Sequence, residues 1–214
     1  MLANIGRPPD DSRQVPLTTM RIFIALDIEN AIRDRISRFM DGVREFAPDA
    51  RWVRPESLHV TLKFIGEKSA EAVEQIKEAL AAVKGQPVEM GFRGHGFFPT
   101  AKSARVFWVG IESGPALASL ANAVDDVTAG LGIPKEERAF NAHLTLARGG
   151  GGSGSPRRQN GDRSNKNFQH LQEKLSALSA PDFGTMTAHE FFLYQSQLSR
   201  GGSRYTKIAR FALN

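Results

Sequence analysis

Cysteine is absent from the 214 residues. Its absence removes disulfides, thiolate nucleophiles and thiolate metal sites, and is compatible with a reducing, cytoplasmic setting. Long apolar runs are missing too. No stretch approaches the roughly 18 residues that a membrane-spanning helix needs, and residues 1–19 contain no apolar core of the kind a secretory signal carries. The chain has no G-x-S-x-G nucleophile elbow, no P-loop and no dinucleotide-binding glycine fingerprint. Three of the five histidines, His95, His170 and His189, have no ligand-like spacing and read as structural. No carboxylate cluster flanks the other two, so no metal and no cofactor is implied.

What is present is ordinary in bulk and unusual in one detail. An apolar content of 41% and a charged content of 24% suffice for a sizeable core. The net charge of +5 suits an anionic partner, a weak signal taken alone. The detail is a tetrapeptide that occurs twice, His59-Val60-Thr61-Leu62 and His143-Leu144-Thr145-Leu146. An H-x-T-L match arises by chance in roughly one chain of this length in fifty. Both copies sit in short apolar runs that read as β-strands. Alternate strand residues share a face, so each His projects beside its Thr while the intervening residue and the Leu point into a core.

The remaining periodicities give an α+β order. A first strand covers Met20–Leu26, and a helix follows from about Glu29 to Phe46. A short extended piece at Arg51–Arg54 precedes the first motif strand, Ser57–Ile65, which Gly66 ends. A second helix spans Ala70–Lys84. Strands at Val88–Phe98 and Ala104–Glu112, a helix at Pro115–Leu131 and the second motif strand, Asn141–Arg148, come next. The composition then changes. Gly149–Lys166 is glycine-rich and then basic, the pattern of a flexible loop. Its Arg157, Arg158, Arg163 and Lys166 either attract nucleic-acid phosphates or belong to a mobile solvated loop, the reading favoured here. A fourth helix is expected at Asn167–Leu178. Two closing strands, Thr185–Tyr194 and Tyr205–Leu213, are joined as a hairpin around Gly201-Gly202. Residues 1–19 read as a disordered extension and residues 20–214 as one domain of two similar lobes, mostly antiparallel sheet with outer helices. One motif lies in each lobe and the cleft between them.

Two imidazoles and two hydroxyls around one small space suit a phosphodiester. In-line hydrolysis needs a base for water on one side of phosphorus and an acid for the leaving oxygen on the other. Histidine serves both roles near neutral pH, and threonine hydroxyls donate to the non-bridging oxygens. The alternative is two unrelated strands that each carry a surface His and a β-favouring Thr.

The chain resembles the 2H phosphoesterase superfamily, and within it the RNA 2′,3′-cyclic phosphodiesterase (2′-5′ RNA ligase-like) family. The resemblance rests on Met20–Leu26, Leu58–Gly66, Phe140–Arg148, Phe192–Ser196 and Gly202–Tyr205. It implies a bilobal α+β fold with the motifs in a central groove. It also implies metal-independent opening of RNA 2′,3′-cyclic phosphate ends to 2′-phosphates, and in some members reversible 2′-5′ joining of tRNA halves. His59 is then the proton donor to the leaving oxygen, His143 the proton acceptor from water, and Thr61 and Thr145 hold the phosphate. No membrane and no obligate protein partner is implied. The chain departs from the family pattern at Ala142, where a proline is common, and in its longer loop after Arg148.

Arg148 lies five residues past His143, an offset that places it on the opposite strand face unless the strand twists or ends. A phosphate contact and a solvated strand-end charge both fit. Phe23 and Phe64 either stack a base at the groove or pack in the core, and core packing is favoured. Two other readings stay open: a binding module of the same fold without turnover, and a 2H enzyme for another small cyclic nucleotide or an RNA 3′ tail.

Overall fold

The structure, a computed structural model, describes residues 19–149, 168–199 and 202–214. Most of the expected N-terminal extension and basic loop therefore lies outside the described residues. Nine strands and four helices are seen among those that are described, in two wholly antiparallel sheets. The strands are β1 (Thr19–Asp27), β2 (Arg51–Trp52), β3 (His59–Ser69), β4 (Val88–Phe98), β5 (Val106–Ser113), β6 (His143–Arg148), β7 (Asp182–Ala188), β8 (Glu190–Ser199) and β9 (Gly202–Ala212). The helices are α1 (Asn30–Val43), α2 (Ala70–Ala81), α3 (Pro115–Ala129) and α4 (Gln169–Ser176).

One sheet has the order β3-β1-β8-β9 and the other β2-β6-β5-β4-β7. The two orders correspond: β1-α1-β3 in the first lobe and β5-α3-β6 in the second are both strand, helix, motif strand, with the strands paired antiparallel. Each sheet has one face in a shared core and one face in the cleft. Ile22, Ile24 and Leu26 of β1 join Ile32, Ile36 and Met40 of α1 in a hydrophobic cluster that also takes in Val124 of α3, Leu144 and Leu146. Phe23 and Ala25, of opposite parity on β1, form a separate small cluster with Phe192 and Tyr194. The helices thus cover the sheet faces away from the cleft, where their 3.6-residue apolar stripes are buried.

Three expectations need correction. Thr19 is not part of an extension; it pairs with Ser69 and begins β1. Gly66 does not end the first motif strand. It takes φ +86, which glycine tolerates without Cβ strain, and β3 runs on to Ser69. The strand expected at Thr185–Tyr194 is two strands in different sheets: β7 pairs with β4, β8 pairs with β1, and His189 lies between them. Both strands send residues into the same core, Met186 and Ala188 from β7 and Phe191 and Leu193 from β8, so nothing in the spacing of the apolar residues marks the break. β6 ends at Arg148 as expected, and Gly149 just past it donates its N–H to the Arg105 carbonyl at 2.8 Å. The β8–β9 hairpin forms as expected.

A buried ion pair joins the lobes. Lys63 of β3, 2% exposed, binds Asp125 of α3, and its Nζ also donates to the Pro134 carbonyl at 2.9 Å. Asp125 accepts the Glu136 N–H at 3.3 Å as well.

Candidate active site

The two motif strands lie beside one another across the lobe boundary. His59, Thr61, His143 and Thr145 line one cleft of about 510 Å³, with Arg148, Phe23 and Phe64 on its walls. All seven residues singled out from the sequence therefore meet at a single site.

Each imidazole is held the same way. Nδ1 of His59 donates to the Ser57 carbonyl at 2.7 Å, and Nδ1 of His143 donates to the Asn141 carbonyl at 2.8 Å. In both motifs the acceptor is the residue two positions earlier. A carbonyl only accepts, so Nδ1 carries the proton and Nε2 is the nitrogen left for chemistry. The Ser57 carbonyl belongs to a short 3₁₀ turn, Pro55–Ser57, which Arg33 of α1 pins. Its guanidinium donates to Pro55 O at 2.6 Å, to Ile28 O at 2.9 Å and to Asp27 Oδ1 at 2.7 Å.

Both rings stand on aromatic floors. The Phe23 ring lies 4.7 Å from His59, is stacked on Tyr194 at 5.1 Å and meets Tyr205 edge-on at 4.9 Å. Phe98 meets His143 edge-on at 5.0 Å and is stacked on Trp108. Trp108 lies flat over Gly96, where a Cβ would come within 2.2 Å of the indole.

Burial pushes the His59 imidazole down to about 4. The Ser57 carbonyl opposes that shift and the Arg148 charge adds to it. His143 is lowered by the same burial, again opposed by its backbone acceptor and reinforced by Arg148. One guanidinium thus acts on both rings. At neutral pH both imidazoles are neutral in the free protein.

Arg148 reaches the cleft because its strand is irregular. Trp108 pairs with Thr145 and Phe107 with Ala147, so Leu146 is an extra residue in the ladder. A bulge of this kind resets the alternation, and Leu146 and Ala147 are consecutively buried as a result. β3 repeats the device: Ala25 pairs with Thr61 and Ile24 with Lys63, leaving Leu62 as the extra residue. Phe64 therefore occupies in the first motif the place that Arg148 holds in the second. The sequence reading favoured core packing for both phenylalanines. Phe23 is indeed 2% exposed, but Phe64 is 56% exposed at the cleft mouth, because the Leu62 bulge turns it outward.

The sequence reading missed Arg21, Arg51 and Tyr205, which share the cleft. Arg51 arrives on two-residue β2, which pairs Arg51 with Arg148, and nothing in a dipeptide strand advertises that pairing. Tyr205 stands edge-on to His59 at 5.1 Å. The three arginines face no carboxylate among the residues lining this cleft. Among the described residues, no group of three or more His, Asp or Glu is placed to hold a metal ion, and no helix is long and apolar enough to cross a membrane.

Paired neutral imidazoles, hydroxyls and unopposed guanidinium groups make an acid–base site of the kind that serves an anionic ester. Comparison with known proteins agrees at the level of class. The model of the LigT like Phosphoesterase family matches residues 26–108 and again 109–205, one H-x-T-L motif in each match, and the chain belongs to this family. It is 33% identical to the RNA 2′,3′-cyclic phosphodiesterase of Archaeoglobus fulgidus over 192 residues, 90% of this chain and 99% of that one. It is 31% identical to the protein of that name from Escherichia coli over 204 residues, 90% and 96% of the two chains. The crystal structure of E. coli LigT complexed with 3′-AMP superposes with a TM-score of 0.72 at 27% identity, covering 92% of this chain and 99% of that one.

Proposed function

We propose that the protein opens 2′,3′-cyclic phosphate ends of RNA to 2′-phosphates without a metal. The observation that carries this reading is the convergence of both His-Thr pairs and Arg148 on one cleft, each His held by Nδ1 so that Nε2 faces the work. The names of its relatives in bacteria and archaea support the substrate class.

In this reading the cyclic phosphate sits between the two rings. Nε2 of His143, neutral, takes the proton from an attacking water. The O3′–phosphorus bond breaks on the opposite side, and Nε2 of His59 gives O3′ its proton. Thr61, Thr145 and Arg148 hold the non-bridging oxygens as negative charge builds on them. The free-protein state of His59, lowered to about 4, means that its proton arrives with the substrate. A phosphodiester anion beside the ring favours the imidazolium and offsets the burial that disfavours it. Phe64, exposed at the mouth, offers its face to the terminal base, and Arg21 and Arg51 take the phosphates upstream.

The test is hydrolysis of a short RNA ending in a 2′,3′-cyclic phosphate, in EDTA, with 2′- and 3′-phosphate products resolved. The expected product is the 2′-phosphate. His59→Ala and His143→Ala each lower turnover by roughly 10²–10⁴-fold, the usual contribution of a general acid or base, while the circular dichroism spectrum stays native. Near-normal turnover in either variant removes the two-histidine mechanism. RNA binding without turnover in the unaltered protein points instead to a binding module of the same fold.

A further inference from the structure

The two motifs are held so alike that their strand pairings compare residue by residue. In the first lobe β1 sets Ala25 against Thr61, Leu26 against Val60 and Asp27 against His59. In the second, β5 sets Trp108 against Thr145, Val109 against Leu144 and Gly110 against His143. The register matches from the bulge to the histidine, and charge differs at one place. A carboxylate is paired with one imidazole and a glycine with the other. Directly opposed residues of an antiparallel pair share a face, their Cβ atoms about 4.5–5.5 Å apart. Gly110 has no side chain to offer, and none fits, because a Cβ there would come within 2.6 Å of the Arg93 carbonyl oxygen.

The difference matters because the motifs themselves do not separate acid from base. Both rings are lowered by burial, both are opposed by a backbone carbonyl, and Arg148 acts on both. Burial weighs more on His59, which by itself sends a proton to His143. The other charges nearby do not reverse this. Arg33 lowers His59 further, and Arg21 and Arg51 lie along the shared cleft. Tyr194, whose hydroxyl burial keeps protonated, and Tyr205 pack against the His59 ring. A second chamber of about 920 Å³ adjoins the cleft across Thr61, Phe64 and His143. Its charge is balanced: Arg105 and Arg138 stand against Glu136 and Glu137, and Asp125 is engaged by Lys63. Asp27 is the carboxylate that draws a proton toward His59.

Asp27 is fixed in place. Its Oδ1 accepts the Ile28 N–H at 2.9 Å and the Arg33 guanidinium at 2.7 Å, and its Oδ2 accepts from Lys207. It does not line the cleft, so it acts through His59 rather than on the phosphate. Arg33 also ties it to the turn that carries the Ser57 carbonyl. One network therefore orients the ring and sets the charge beside it.

We propose that Asp27 is the positioning residue that makes His59, and not His143, the acid. The inference rests on the acid and base roles assigned in the reading above. When the phosphodiester binds, the proton that enters with it goes to the ring paired with the carboxylate. His143 stays neutral and free to take the proton of water.

The experiment compares an RNA 2′,3′-cyclic end with the same end carrying sulfur as its bridging 3′ atom. A thiol ionises near about 8.5, so a thiolate leaves without a proton and needs no acid. On the sulfur substrate His59→Ala is expected to recover turnover and His143→Ala is not. Asp27→Asn keeps an acceptor for Ile28 and Arg33 but removes the charge. The alkaline limb of kcat reports the acid in the bound state. In Asp27→Asn that limb is expected about one pH unit lower on the oxygen substrate, the small end of what a nearby opposite charge contributes. The acidic limb, set by His143, stays in place. Above the limb turnover falls about tenfold, and the sulfur substrate shows no such loss. Lys207→Met keeps the carboxylate and removes its cation, so the alkaline limb moves to higher pH, a direction that lost packing does not produce. An alkaline limb unmoved in either variant overturns the proposal, as does an equal loss on both substrates. If Asp27→Asn does not fold, the direction of the limb in Lys207→Met decides alone. Recovery by sulfur in His143→Ala instead of His59→Ala reverses the underlying roles and removes that reading, and the inference with it.

Discussion

Burying an imidazole beside a guanidinium has a cost that pH reveals. His59 has an ordinary pKa of 6.5 when unfolded and about 4 when folded. Above 6.5 the ring is neutral in both states and contributes nothing to the pH dependence. Between 6.5 and about 4 the unfolded chain binds a proton that the folded chain refuses, so stability falls as the pH drops. From pH 7 to pH 5 this one residue accounts for about 2 kcal/mol. His143 and His95, both lowered by burial, add in the same direction. Asp27 acts in a separate, lower window. Burial pushes its carboxyl up, but Lys207, the Ile28 N–H and Arg33 outweigh that and hold it below 3.8, so its contribution is lost only as the pH falls further. Urea unfolding of the unaltered protein and of His59→Ala at pH 7 and pH 5 checks the sign. The variant is expected to lose less stability across that interval, and equal losses refute the account. A second residue-scale expectation concerns Gly96. Its Cβ would overlap the Trp108 ring, so Gly96→Ala is expected to cost about 1–3 kcal/mol by overpacking, read as a lower denaturation midpoint.

Between the strands and helices, the Lys63–Asp125 pair ties β3 to α3, and its bond to Pro134 holds the loop that leads to β6. Lys63→Met leaves a half-buried carboxylate without its cation. The expected loss is about 3 kcal/mol, measured by urea unfolding, and Lys63→Met/Asp125→Leu recovers most of it. Failure of the double variant to recover assigns the loss to packing rather than to charge. This pair also marks the limit of what the sequence made legible. Period-two alternation placed His59 with Thr61 and His143 with Thr145 correctly, because those residues precede the bulges. Beyond Leu62 and Leu146 the alternation is reset, so parity alone could not decide whether Arg148 reaches the cleft and did not show that Phe64 turns out to its mouth. Lys63 is buried where a charged side chain is expected outside, because its partner lies on a helix of the other lobe. Long helices with clear apolar stripes were legible to within a few residues, whereas the break between β7 and β8 depends on which sheet each strand joins, a property of tertiary pairing alone.

For the whole molecule, the correspondence of β1-α1-β3 with β5-α3-β6 gives each lobe one motif strand, a bulge three residues after its histidine and one aromatic floor. The lobes diverge at the position after the bulge, Phe64 in one and Arg148 in the other, and in the arginines that gather at the first cleft. That asymmetry makes a prediction about salt. Three guanidinium groups, Arg21, Arg51 and Arg148, line the cleft. If each neutralises one phosphate of a single strand, log Kobs for RNA falls with log[salt] at a slope of about −2. Arg51→Ala is expected to weaken binding and bring the slope to about −1.4, the loss of one contact. Arg138→Ala, in the charge-balanced second chamber, is expected to leave the slope unchanged. Fluorescence anisotropy of a labelled RNA with a non-hydrolysable 2′-phosphate end, titrated between 50 mM and 200 mM salt, about the range over which phosphate contacts dominate affinity, measures all three. A slope of about −4 or steeper, brought back to about −2 by replacing Arg157, Arg158, Arg163 and Lys166 with serine, assigns further phosphate contacts to that basic segment. A slope of about −2 that those replacements do not alter confines phosphate recognition to the cleft. In that case the surplus of positive charge along the chain steers RNA toward the site without holding it there.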